Sequence, residues 1–84
     1  MPSVFVLDVP EFMPLVEHAK GMDEWRVDGP LSGYWRIQHP NRLSFERKAL
    51  GFKPAVWHGA LTGGLQGRIT QYDNDYLVIK GDAP

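Results

Sequence analysis

The stretch "LQGRITQYDNDYLVIK", Leu65 to Lys80, decides how this chain folds. Two runs rich in β-branched and aromatic residues flank the short segment Asp73-Asn74-Asp75. Asp and Asn side chains bond to nearby backbone, and Asn tolerates positive φ, so the segment has the chemistry of a tight turn. The reading is a β-hairpin centred on Asn74, with Tyr72 opposite Tyr76 and Ile69 opposite Ile79. The tail after Lys80 is expected to fray.

Just before the hairpin, "HGALTGGLQGR" runs from His58 to Arg68 with Gly63, Gly64 and Gly67 close together. A phosphate loop needs GxxxxGK[ST], and a dinucleotide site needs GxGxxG on a strand–helix turn; neither pattern is present. Successive amides of a glycine-rich turn can form an anion nest. The plainer reading is a loop whose glycines supply positive φ or let the backbone pack tightly against Trp57.

The rest of the chain reads as β with one helix. "SVFVLDV", Ser3 to Val9, is a nearly continuous apolar strand, expected at a sheet centre or a dimer seam and ended by Pro10. In "EFMPLVEHAKGM", Glu11 to Met22, the residues Phe12, Leu15, Val16 and Ala19 share one face of a 3.6-residue period. Pro14 fits the first turn and Gly21 the stop, so the helix is about two turns long. "EWRVDG" alternates Trp25 and Val27 against Arg26 and Asp28, as a half-buried strand does. Gly29 to Gly33 reads as a turn or loop. "YWRIQ" is a strand with Trp35 and Ile37 on one face and Tyr34 and Arg36 on the other. Residues 42–50 fit a strand, with Leu43, Phe45 and Ala49 on one side, better than a helix stopped by Gly51. The Lys53-Pro54 step holds Lys53 extended, and Ala55 to His58 reads as a short strand beyond it.

A single compact domain is expected over residues 1–84, of α+β class: a small antiparallel, curled or barrel-like sheet with one short helix near the N-terminus. A chain of 84 residues has a thin core, and without cysteine neither disulfides nor cysteine metal ligands can brace it. Self-association is the remaining common device, and ten aromatics, three of them tryptophan, are enough for a core and an interface.

Composition narrows the function classes. Nine basic and ten acidic groups leave a formal charge of -1, which argues against a nucleic-acid binder. The charges are unevenly spread, with three basic and six acidic groups before residue 41 and six basic and four acidic after it. Arg36, Arg42, Arg47, Lys48 and Lys53 interleave with Phe45 and Phe52, which keeps a weak single-stranded nucleic-acid surface as an alternative. No apolar run approaches the ~20 residues of a membrane span, no leader is recognised, and the cytoplasm is the default location.

Few residues carry chemistry. His18, His39 and His58 have no metal-ligand spacing, and no cofactor is implied. His18 fits a helix end and His39 a turn. His58, beside Trp57 and the glycine loop, is the candidate general acid/base, with Asp75 or Glu46 to orient it. Two functions follow. The first is a small ligand-binding or protein-assembly domain without chemistry of its own, contacting a small molecule or partner protein through Tyr34, Trp35, Trp57, Gly63, Gly64 and Gly67. The second is a cofactor-free isomerase or lyase acting through His58. A carboxylate within hydrogen-bond reach of His58 separates them.

Overall fold

The computed structural model describes residues 1–60 and 63–81. Strand β1 (Ser3–Leu7) leads through a 3-10 turn at Pro10–Phe12 into helix α1 (Met13–Lys20). Then follow β2 (Arg26–Leu31), β3 (Tyr34–Gln38), β4 (Arg42–Glu46), α2 (Arg47–Leu50) and α3 (Pro54–Gly59). Strands β5 (Leu65–Gln66), β6 (Arg68–Tyr72) and β7 (Tyr76–Lys80) complete the order. The fold is mixed α+β with a short N-terminal helix, and its strands pair antiparallel.

The strands divide between two sheets, ordered β2-β3-β1-β5 and β4-β7-β6. Their alternating inward residues meet in one core: Val4, Val6 and Ile37 from the first sheet, Leu43, Phe45, Leu77 and Ile79 from the second. Helix α1 adds Leu15, Val16 and Ala19 to the same cluster, from the face that its sequence period marks. Gly21 caps its C-terminal end. Strand β1 lies between β3 and β5, inside its sheet as its apolar run suggests.

Four local expectations change. Ala55 to His58 is helical, within α3, because Pro54 occupies the first turn with its φ already set while Lys53 stays extended at φ -73 and ψ 156. Residues 42–50 are both a strand and a helix. Strand β4 ends at Glu46, and the single turn of α2 closes on Gly51 through amide bonds from Gly51 to Lys48 and from Phe52 to Arg47. The segment Gly29 to Gly33 is a turn only at its end. Strand β2 continues to Leu31, and its register against β3 shifts between Asp28 and Leu31, leaving Ser32 and Gly33 as a two-residue loop. Pro30 is tolerated there because β2 is an edge strand.

The hairpin of β6 and β7 forms, and Ile69 faces Ile79. Tyr72, however, pairs with Leu77 and not with Tyr76. Asp73 and Tyr76 close a tighter turn through an amide–carbonyl bond of 3.0 Å, and a bulge at Thr70 takes up the extra residue. The expected fraying at Asp82–Pro84, and the loop residues Leu61 and Thr62, lie outside the described residues.

Candidate functional site

The outward face of the four-stranded sheet gathers side chains into two rows. Cross-strand pairing aligns Leu7, Tyr34 and Leu31 in one row, and Phe5, Arg36 and Asp28 in the next. Leu31 is 79% exposed, the most among the large hydrophobics of the described residues, and Tyr34 beside it is 37% exposed. The Arg36 guanidinium donates to the Asp28 carboxylate at 3.0 Å. These groups enclose a cleft of about 230 Å³ lined by Phe5, Asp28, Gly29, Leu31, Tyr34 and Arg36.

The glycine segment forms part of this arrangement. The Phe5 amide donates to the Gly64 carbonyl at 3.0 Å. A Cβ on Gly63 would collide with the Phe5 carbonyl oxygen and come within 2.9 Å of the Tyr34 ring. The close approach that demands glycine is therefore to β1 and Tyr34, not to Trp57. Gly64 and Gly67 take positive φ, at +93 and +120. At Gly67 a Cβ would also meet the Lys80 carbonyl oxygen at 2.7 Å. The glycines turn the chain and press it against both sheets.

The other singled-out residues stand elsewhere. Trp35 points to the opposite face from Tyr34, as strand alternation requires, and is half-buried. Its indole N–H donates to Asp8 at 3.0 Å, and the Lys20 ammonium lies 4.8 Å from the ring centroid. Trp57 is buried in the core, and its indole N–H donates to the Asp73 carbonyl.

His58 is exposed on α3. Its Nδ1 lies 3.3 Å from the Tyr72 hydroxyl and its Nε2 3.1 Å from the Asn74 amide oxygen. Burial raises the pKa of the Tyr72 hydroxyl. Among the described residues no carboxylate forms an ion pair or hydrogen bond with His58. Asp75 instead lies 3.8 Å from the Arg47 guanidinium. Glu46 borders a shallow groove of about 250 Å³ with His18, Met22, Ser44 and Tyr76. The Asp73 carboxyl is held below its ordinary value by the Gln71 side chain first and then by the amides of Tyr76 and Asp75. Among the described residues no group of three His, Cys, Asp or Glu side chains is placed to hold a metal ion. No helix among them is long and apolar enough to cross a membrane.

Leu31, Gly29, Asp28 and Phe5 are cleft residues that sequence reasoning passes over as site candidates. The signal for Leu31 was the Ser32-Gly33 pair: a two-residue hairpin loop there makes Leu31 and Tyr34 cross-strand partners.

No protein-family model matches this chain, and no curated protein matches it. Its fold is similar to that of a chain in the structure of the phenol hydroxylase–regulatory protein complex, with a TM-score of 0.77 at 14% identity. The match covers 96% of this chain and 98% of that one, so the two are close in length. At that identity the likeness is one of fold.

Proposed function

We propose that this chain is a regulatory or assembly component without chemistry of its own, which docks on a larger protein through the open face of its four-stranded sheet. The observation that carries this reading is the exposed Leu31–Tyr34 pair side by side on the outward sheet face. The end-to-end fold likeness to a chain of a hydroxylase–regulatory protein complex supports a hydroxylase as the larger protein. The surroundings of His58 support the same side: its ring nitrogens meet a phenol and an amide, not the orienting carboxylate that the enzyme reading calls for.

The test mixes the purified chain with a phenol hydroxylase from its own organism and reads co-sedimentation and hydroxylation rate. Binding and an altered rate are expected, with both lost in Leu31→Asp. A chain that neither binds nor changes the rate overturns the reading, as does one that converts a substrate alone. Self-association would compete for the same face. A single species of 9.5 kDa across the concentration range would leave that face to the larger protein.

A further inference from the structure

We infer that the outward face of the three-stranded sheet carries a second contact site, where a row of cations, Arg42, Lys80 and Arg68, binds a run of acidic residues on a partner protein. This site does not rest on the Leu31–Tyr34 face, since it lies on the other sheet and uses other residues.

Strand pairing makes the row. Arg42 on β4 lies opposite Lys80 on β7, and Lys80 lies opposite Arg68 on β6. Directly paired residues project to the same face. The alternate residues Leu43 and Ile79 fill the core, so the cations face outward, and all of them are exposed. Neighbouring strands lie about 4.8 Å apart, so the row is about 10 Å long.

The row is uncompensated. Like charges directly opposite each other on a sheet are destabilising. Other cations of the chain are answered locally: Lys20 by Glu17, Arg36 by Asp28 and Arg47 by Asp75. Among the described residues no carboxylate forms an ion pair with Arg42, Lys80 or Arg68. Glu46 is the one carboxylate at the outward positions of these strands, and it stands at the far end of β4, about 13 Å from Arg42 along the strand. That exceeds the Debye length of about 8 Å at physiological salt, whereas each cation lies within that length of the next. The row therefore presents one positive field, and a partner's carboxylates would relieve the repulsion within it.

The surroundings select the kind of anion. The next outward positions are Ser44, Val78 and Gln71, none of them aromatic. Surfaces for single-stranded nucleic acid interleave their cations with rings that stack on bases, and this row has none beside it. A formal charge of -1 for the whole chain points the same way. Carboxylates need no rings: each guanidinium offers a fork of N–H donors, and the Lys80 ammonium between them adds a point charge.

The experiment titrates three probes into isotope-labelled chain at low salt and follows amide resonances: capped Gly-Glu-Asp-Glu-Asp-Gly, its neutral counterpart Gly-Gln-Asn-Gln-Asn-Gly, and a short oligothymidylate. The acidic peptide should shift Arg42, Arg68 and Lys80, and added salt should weaken it. The neutral peptide should shift none of them. Lys80→Gln should weaken the acidic peptide about two- to fivefold, and it should raise the thermal midpoint at low salt because it removes the repulsion at the centre of the row. Leu31→Asp should leave the acidic peptide's affinity unchanged. Equal binding of the two peptides, shifts confined to other surfaces, no shifts, or tighter binding of the oligothymidylate overturns the proposal. A lowered midpoint in Lys80→Gln overturns it as well, since the cation would then be supported within the fold. None of these results touches the docking reading, which is tested by hydroxylase binding and Leu31→Asp.

Discussion

The indole N–H of Trp57 donates to the carbonyl oxygen of Asp73 at 2.8 Å, joining α3 to the turn between β6 and β7. The indole is 2% exposed and lies edge-on to Tyr72. One side chain therefore fills the core and also satisfies a polar backbone group of the turn. Trp57→Phe removes the bond and part of the volume, and should cost about 1.5–3 kcal/mol. Trp57→Ala should cost about 3–5 kcal/mol. Urea unfolding of both variants checks this; a loss below about 0.5 kcal/mol for Trp57→Phe would show that the bond contributes nothing.

Gly67 is a glycine where a side chain should do marked harm. Its φ of +120 is closed to other residues, and an added Cβ would press on the Lys80 carbonyl at 2.7 Å. Gly67→Ala should destabilise by roughly 2–4 kcal/mol, strain and crowding together. Gly63→Ala should cost about 1–3 kcal/mol and displace Tyr34, weakening the docking face as well as the fold. Gly21→Ala is the control: it sits at φ -86 with the nearest neighbour at 3.6 Å, and should be neutral or stabilise by up to about 1 kcal/mol. Thermal and urea unfolding rank the three; equal effects would refute the assignment of space and φ as the cause.

Acid should act on the hairpin turn through Asp73. The Gln71 amide donates to its carboxylate at 3.0 Å, and the Asp75 and Tyr76 amides do so at 2.8 Å each. These bonds favour the charged form, so the folded pKa lies below the ordinary value of 3.8. A depressed folded pKa contributes stability that is fully present above the unfolded pKa and is lost as pH falls through the folded one. The effect belongs below roughly pH 5, not near neutrality. Asp73→Asn keeps an acceptor oxygen and removes the titration. Stability against pH should fall less steeply in that variant than in wild type on the acid side, and parallel curves there would defeat the claim.

The sequence made the fold class readable because the strongest signals were local. The α1 face needed only its apolar period, and the β6–β7 hairpin only its turn residues. The split into two sheets was not local. It depends on β7 pairing with β4 and β6, while β1 takes β3 and β5. Ala55 to His58 was misread because its residues fit either state, and Pro54 at the first helical position decided it. The register at Tyr72 turned on a bulge at Thr70 that no residue type announces. Of the site, Tyr34, Gly63 and Gly64 do converge with β1. Trp35 could not join them, since it alternates with Tyr34 along one strand. Leu31 escaped because Gly29-Pro30 resembles a loop, although an edge strand accommodates both.

His58 provides the sharpest separation between a binding component and an enzyme. Its ring bridges α3 to Tyr72 and Asn74 and is exposed. Removing an exposed bridge of two hydrogen bonds costs little, so His58→Ala should lower stability by about 0.5–1.5 kcal/mol. Amide resonances of Tyr72 and Asn74 should move with it. The proposed docking cleft lies on the other sheet, and Leu31 and Tyr34 keep their own supports in this variant. If the proposed docking holds, hydroxylase binding and any change in hydroxylation rate should therefore persist in His58→Ala while Leu31→Asp loses both. A turnover found for the wild-type chain alone, and absent from folded His58→Ala, would reverse the assignment. His58 would then be a proton-transfer group, with Tyr72 and Asn74 as its positioning partners.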